Sequence, residues 1–196
     1  MERYRARLVV KEYAQKEGIE SNEIFSPVVR LTTIRVVLVI CAIFELHLEQ
    51  LDVKTAFFYE ELEEEIYMLQ LEGFAEKGKE NLVCRLNKSL YGLKQGSRCW
   101  YKRFDSFIIC LGYNRLSTNH CMYYKKFEED NDFIILLLYV DDMLVIGSDK
   151  DRVQELKAQL AREFDMKDLG PTNKILGMQI DRDRSKRQIW LLRRII

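Results

Sequence analysis

Three stretches of the chain carry apolar residues at spacings of three and four, the repeat of an amphipathic helix. The first predicts a helix that Thr32 or Thr33 can cap, and the second a helix from Ser97 to just before Gly112. The third predicts a helix with Ser148, Asp149 or Asp151 near its start. The three apolar stripes are, in order, Ile34, Val37, Leu38, Cys41 and Ala42; Trp100, Phe104, Phe107, Ile108 and Leu111; and Val153, Leu156, Leu160 and Phe164.

Shorter stretches, rich in aliphatic, aromatic and β-branched residues, predict strands. They span 3–10, 46–53, 65–71, 121–127, 133–140, 143–146, 174–181 and 188–192. Gly92 marks a loop, the residues Leu169 to Pro171 break the pattern after the third helix, and the last two strands form a hairpin. No low-complexity tract or Pro/Gly-rich linker divides the chain. The sequence therefore predicts one α+β domain, an antiparallel sheet with helices packed on one face.

Two adjacent aspartates, Asp141 and Asp142, interrupt the most apolar stretch of the chain, Phe133 to Gly147. A carboxylate removed from water without a partner costs several kcal/mol or is neutralised by a pKa shift. The pair therefore needs a cation or full solvation. The flanking runs predict strand, tight turn and strand, with both acids at the tip. Aspartate also suits tight turns, so a solvated turn is the alternative.

A third acid, Asp52, stands at the end of the strand predicted over 46–53. A lone aspartate there is often only a cap or a turn residue. If this strand is a neighbour of the aspartate hairpin, the three carboxylates meet at one edge of the sheet and can bind Mg²⁺, which prefers oxygen ligands. Two such ions activate an attacking hydroxyl and stabilise a leaving oxygen, which is the chemistry of phosphoryl or nucleotidyl transfer.

Composition narrows the class of protein further. The chain has 196 residues, 47% of them hydrophobic, with 31 basic and 31 acidic residues, so it has no overall basic field. The segment 85–103 is basic and contains no acid, which indicates either a nucleic-acid contact or a solvated face. Five widely spaced cysteines without a CxxC pair indicate a reduced intracellular protein. The apolar run Val36–Phe44 is too short to span a bilayer, so no membrane association is expected.

An ordered series of motifs resembles the reverse transcriptase of copia-type LTR retrotransposons. The similar segments are RARLV at 5–9, FSPVVRLTTIR at 25–35, LEQLDVKTAFF at 48–58, LEEEIYM at 62–68, CRLNKSLYGLKQ at 84–95, LLLYVDDMLV at 136–145 and KILGMQI at 174–180. Each motif alone is a weak signal. Their order over nearly the whole chain is highly specific.

The resemblance implies a right-hand polymerase palm with partial fingers. In this reading residues 1–196 are one partial reverse transcriptase domain. Residues 1–50 would be fingers-like with a connecting helix, residues 51–170 mostly palm, and residues 171–196 a hairpin similar to the primer grip.

The resemblance also implies the roles of individual residues. Asp52, Asp141 and Asp142 would be the catalytic carboxylates that bind two Mg²⁺ ions, for which Mn²⁺ can substitute. The family pattern implies nucleotide binding by Arg5, Arg7, Gln95 and Phe57, with the Phe57 ring excluding a ribose 2′-hydroxyl. It implies primer and template binding by Tyr139, Val140, Leu176, Gly177 and Met178.

The activity implied is that of an RNA-directed DNA polymerase, whose partners are an RNA template, a DNA primer and deoxynucleoside triphosphates. Further fingers, thumb and RNase H regions of a parent polyprotein would complete the enzyme. If the chain is part of an active retrotransposon, the resemblance implies an intracellular location, in a cytoplasmic virus-like particle. The alternative is a catalytically inactive remnant of a degraded retroelement with at most weak nucleic-acid binding.

Overall fold

The computed structural model describes residues 8–10, 27–54, 61–128 and 132–193, which fall into two compact units. The first unit takes in Met1–Ser26 and Thr55–Phe104, and the second takes in Pro27–Lys54 and Asp105–Ile196. The elements are, in order, α1 Leu31–Ile43, β1 His47–Val53, β2 Glu61–Leu69, β3 Val83–Lys88, α2 Lys94–Cys110, β4 Asn114–Leu116, β5 Asn119–Lys126, β6 Phe133–Tyr139, β7 Asp142–Gly147, α3 Lys150–Glu163, β8 Met166–Pro171, β9 Lys174–Ile175, β10 Met178–Asp183 and β11 Gln188–Arg193.

The second unit is built on a six-stranded sheet in the order β4-β5-β6-β7-β1-β8. All of its strand pairs are antiparallel, which confirms the predicted α+β class with an antiparallel sheet. Five consecutive residues of β6, from Ile134 to Leu138, are buried. Side chains alternate between the two faces of a strand, so unbroken burial means that both faces of the sheet centre are covered.

The two faces carry side chains from different helices. Ile34 of α1 lines a small cavity with Gln50 and Leu144, which share one face of the sheet. Lys157 of α3 donates to Glu49, which strand alternation places on the opposite face. The prediction that the helices pack on one face is therefore wrong for α1.

The predicted helices are all present. The buried residues of α1 are the five residues of the predicted stripe, although its N-cap is Arg30 and neither threonine caps it. Helix α2 begins at Lys94, three residues before the predicted start, and is followed by Gly112 at a φ of 81°. The N-cap of α3 is Asp149, whose side chain accepts hydrogen bonds from two backbone N–H groups of the first turn.

Several short strands were not predicted, of which β8 matters most. It runs through Gly170 and Pro171, where the sequence indicated a break. A proline is tolerated because β8 is the edge strand, and its missing N–H leaves no interior hydrogen bond unmade. A register shift against β1 between Gln50 and Leu51 accommodates the irregular sequence.

The predicted C-terminal hairpin is present as β10 and β11, and β9 extends it to a three-stranded sheet. In the first unit, β2 and β3 form a two-stranded sheet, and Val9 forms an isolated parallel bridge with Tyr91. The rest of the strand predicted over 3–10 lies outside the described residues. None of the helices in the described ranges is long and apolar enough to cross a membrane.

Candidate active site

Strand pairing brings two of the three predicted acids together. Asp52 in β1 is the register partner of Asp142 in β7, and Asp142 is also the register partner of Tyr139 in β6. Directly opposed residues of an antiparallel pair share a face, with Cβ atoms about 4.5–5.5 Å apart. The two carboxylates and the phenol therefore form one row across three strands, and all three side chains are partly exposed. This confirms that β1 is a neighbour of the aspartate hairpin.

The turn of this hairpin consists of Val140 and Asp141, and Asp142 is already the first residue of β7. The prediction that both acids lie at the tip is thus wrong for Asp142. Val140 has a φ of 59°, in the left-handed region that a β-branched residue rarely adopts. Such a conformation costs on the order of 1–3 kcal/mol and persists only where the surroundings impose it. The backbone N–H of Val53 donates to the carbonyl of Asp141 at 3.0 Å, which ties the end of β1 to the turn.

Asp142 lies in a costly electrostatic environment. Partial burial raises the pKa of its carboxyl above the ordinary value, and the negative charge of Asp52 raises this pKa further. The side-chain amide of Gln50 donates to Oδ1 of Asp142 at 3.2 Å and opposes the shift. Gln50 is itself buried and lies two residues before Asp52, on the same strand face. The hydrogen bond from Gln50 therefore offsets only part of the cost of placing the Asp142 charge beside that of Asp52.

The donor set of this site fits a magnesium ion. Within the part of the chain that the structure describes, no three Asp, Glu, His or Cys side chains converge on a common metal position. Magnesium in polymerase sites, however, is held by one or two carboxylates together with substrate phosphates and water, and does not need a cage of protein ligands. Asp52 and Asp142 supply two such carboxylates from adjacent strands. Asp141 lies next to them in the turn and does not complete a three-ligand cluster.

Two polar residues near the acids were missed at the sequence level. Gln50 could have been found, because strand alternation in the predicted strand already placed it on the face of Asp52. Lys167 in β8 is the register partner of Asp52 on the side away from Asp142, and its side chain is exposed. It could not have been found, because β8 itself was not predicted.

The remaining predicted site residues lie in several places. Leu176 and Gly177, with φ angles of 47° and 77°, form the turn between β9 and β10, and Met178 begins β10. Next to this turn, Ile175 lines the small cavity that Tyr139 and Asp142 also line. The turn formed by Leu176 and Gly177 therefore follows a residue that lies beside Tyr139 and Asp142.

Gln95 is buried in the first turn of α2, in the unit that does not contain the aspartates. Arg5, Arg7 and Phe57, which the resemblance assigned to nucleotide binding, lie outside the described residues. Their roles stay predictions.

Comparison with known proteins identifies the family. The family model for reverse transcriptase (RNA-dependent DNA polymerase) matches residues 1–193. The retrovirus-related Pol polyprotein from transposon TNT 1-94 of Nicotiana tabacum is 58% identical over 189 residues, which is 96% of this chain and 14% of that protein. The Pol polyproteins from transposons RE1 and RE2 of Arabidopsis thaliana are 35% and 36% identical over 93% of this chain, which is 12% of each of those proteins. No solved structure matches.

The family match covers both units and every element of the structure. It also includes the paired strands that carry Asp52 and Asp142 and the turn that begins at Leu176. The chain spans only a small part of the length of the Pol polyproteins that it resembles. The chain thus belongs to the reverse transcriptase (RNA-dependent DNA polymerase) family, in the copia-type branch found in retrotransposon Pol polyproteins.

Proposed function

We propose that this chain carries the catalytic acids of an RNA-directed DNA polymerase, which adds deoxynucleotides to the 3′-hydroxyl of a primer. The observation that supports this function best is the register pairing of Asp52 with Asp142, in which two carboxylates share one face. Burial and the Asp52 charge raise the pKa of Asp142, as expected of carboxylates that require a cation. The repulsion between the Asp52 and Asp142 carboxylates lowers the stability of the fold, so a purely structural role does not explain why both are acids.

Each residue of the row has a role under this proposal. Asp52 and Asp142 hold the divalent ions, and Gln50 orients the Asp142 carboxylate by its hydrogen bond to Oδ1. When bound, two such ions polarise the attacking hydroxyl and stabilise the leaving oxygen of an in-line displacement. Tyr139 and Val140, at the end of β6 and in the turn, would lie beside the primer terminus. Asp141 would contribute a third carboxylate from the turn.

The proposal also includes substrates and residues outside the row formed by Asp52, Asp142 and Tyr139. An RNA template, a DNA primer and deoxynucleoside triphosphates are the substrates that this chemistry requires. The resemblance assigns the triphosphate to Arg5 and Arg7, whose guanidinium groups suit phosphate oxygens. It assigns the nucleotide pocket to Phe57 and Gln95, and the primer to the turn at 176–178. The setting is intracellular, and Mn²⁺ can replace Mg²⁺.

Primer extension on an RNA template tests the proposal. The unmodified chain should incorporate deoxynucleotides in the presence of Mg²⁺ or Mn²⁺, and both Asp52→Asn and Asp142→Asn should reduce incorporation to background. Asp149→Asn is the matched control, because it removes the same charge from the N-cap of α3 and asparagine caps a helix as well as aspartate does. Extension that persists in Asp142→Asn would contradict the site. Absence of extension by the unmodified chain at saturating metal would favour the inactive remnant.

A further inference from the structure

An ion cluster centred on the buried side chain of Lys157 lies on the face of the sheet opposite to Asp52 and Asp142. Lys157 of α3 donates to Oε2 of Glu49 at 2.9 Å and lies 2.7 Å from Oδ2 of Asp168. The side chains of Lys157 and Glu49 are only 6% and 10% exposed, whereas that of Asp168 is 54% exposed. Glu49 belongs to β1 and Asp168 to β8. A single ammonium group therefore joins one helix to two neighbouring strands, and we call these three residues the Lys157 cluster.

The Lys157 cluster lies at the irregularity in the pairing of β1 with β8. The register shifts within this pair, because Gln50 pairs with Gly170 while Leu51 pairs with Asp168. Leu169 is the extra residue of this bulge. Oδ1 of Asp168 accepts a hydrogen bond from the N–H of Gly170 at 2.8 Å, so the same carboxylate closes the bulge and contacts Lys157. Among the strands that the structure describes, β8 is at the edge of the sheet and pairs with β1 alone.

The next pair along these strands is Asp52 with Lys167. A strand that slips by one residue turns every side chain to the other face. A slip of β8 at the bulge would therefore remove Lys167 from the neighbourhood of Asp52 and present a different side chain there. Glu49 stands only three residues before Asp52 on β1, about 10 Å along the strand. The contact of Lys157 with Glu49 thus anchors to α3 the strand that carries Asp52.

We propose that Lys157 is a positioning residue of the polymerase site. It holds β1 and β8 in the register that presents Asp52 next to Lys167, although it lies on the opposite face of the sheet and touches no substrate. This inference rests on the proposed function, because it concerns the geometry of one of the carboxylates assigned to the metal ions. It adds Lys157, Glu49 and Asp168 to the residues on which the activity depends.

The test must separate positioning from folding. Replacing Lys157 alone leaves the buried carboxylate of Glu49 without its cation, which is strongly destabilising. The double variant Lys157→Met with Glu49→Met removes the whole buried pair and replaces it by apolar side chains of similar length, a change that is often neutral for stability. It nevertheless removes the bridge to Asp168. The matched control is Arg152→Met, which removes another α3 ion pair, the one with Asp132.

Binding of Mn²⁺ to the whole chain, followed by electron paramagnetic resonance or calorimetry, supplies a readout other than activity. We expect the double variant to melt close to the unmodified chain but to bind Mn²⁺ roughly 10- to 100-fold more weakly, the loss typical of removing residues that orient metal ligands. Arg152→Met should bind Mn²⁺ normally. Unchanged Mn²⁺ affinity in the folded double variant would overturn the inference.

A second readout distinguishes failure of this inference from failure of the proposed function. If the unmodified chain does not bind Mn²⁺, the metal site of the proposed function is refuted. The register can still be followed by NMR contacts between the backbones of Asp52 and Lys167. Loss of these contacts in the double variant supports the positioning role of Lys157, and their persistence overturns it.

Discussion

Replacing Asp142 by asparagine should make the metal-free protein more stable. The side chain of Asp142 is held opposite Asp52 by strand pairing, and burial together with the Asp52 charge raises the pKa of its carboxyl. Asparagine has nearly the same shape and removes the charge. Its amide oxygen can still accept the hydrogen bond from Gln50 that Oδ1 of Asp142 accepts at 3.2 Å. The substitution therefore removes the repulsion and keeps the packing.

The size of the effect follows from the strand geometry. Opposed side chains bring two unit charges to about 5 Å, where they repel by roughly 3 kcal/mol at an effective dielectric constant of about 20 and by about 1 kcal/mol at that of water. Both carboxylates are partly exposed, so solvent screens part of the repulsion. We expect Asp142→Asn to raise the free energy of unfolding by about 1–2 kcal/mol at neutral pH.

The gain should depend on pH with a defined sign. The pKa of Asp142 is higher in the folded state than in the unfolded state, so the folded state binds this proton more tightly. The stability that this preference contributes is present below the unfolded pKa of about 4 and is lost as the pH rises through the raised folded value. The advantage of asparagine should accordingly be small near pH 4 and larger at pH 7.

Urea denaturation in the presence of EDTA at these two pH values measures the gain, with Asp149→Asn as the control of equal charge change. Millimolar Mn²⁺ should then stabilise the unmodified chain and not Asp142→Asn, because a ligand that binds only the folded state raises its stability by mass action. A variant that is less stable than the unmodified chain at pH 7, or whose gain is the same at both pH values, would refute the proposed repulsion between Asp52 and Asp142.

Three further predictions concern other residues. Phe57→Ala should allow incorporation of ribonucleotides in primer extension, whereas Phe58→Ala should not, and unchanged sugar selectivity would contradict the role assigned to Phe57. Asp149→Ala should lower the free energy of unfolding by about 1 kcal/mol, because it removes the oxygen that caps the N–H groups of Asp151 and Arg152, and an equal loss in Asp149→Asn would exclude this cause. Val140→Gly should raise the melting temperature, since relief of about 1–3 kcal/mol of backbone strain exceeds the cost of about 0.5–1 kcal/mol for glycine, and a lower melting temperature would show that the valine side chain contributes more.

The spacing of apolar residues correctly predicted the elements whose own sequence carries a regular apolar pattern. The stripe of α1 was correct residue by residue, because its members repeat at three and four, although α1 also carries exposed apolar residues such as Val36 and Val39. The neighbouring position of β1 and the aspartate hairpin was also correct. The chemistry of the acids left this position as a condition, and the ordered series of family-like motifs supplied it.

Elements that depend on their surroundings were missed. The strand β8 contains Gly170 and Pro171, which indicate a break when the local sequence alone is considered. It is a strand only because the edge of the sheet accepts an irregular partner.

The sequence around Lys157 contained a signal that was overlooked. Lys157 lies four residues after Val153 and three before Leu160, so it belongs to the buried stripe of α3, and a lysine in such a stripe needs an acid partner.

The largest correction, the position of the turn, changes how the two adjacent aspartates are held. Asp142 pairs with β6 on one side and with β1 on the other, so two neighbouring strands fix the position of its backbone. Asp141 is fixed by a two-residue turn whose other member, Val140, has a φ of 59°. The apolar run before the acids extends through Val140, which is why the sequence predicted a strand up to Val140 and placed both acids at the tip. A change at Val140 therefore acts on the backbone that positions Asp141, while the ladder keeps Asp142 opposite Asp52.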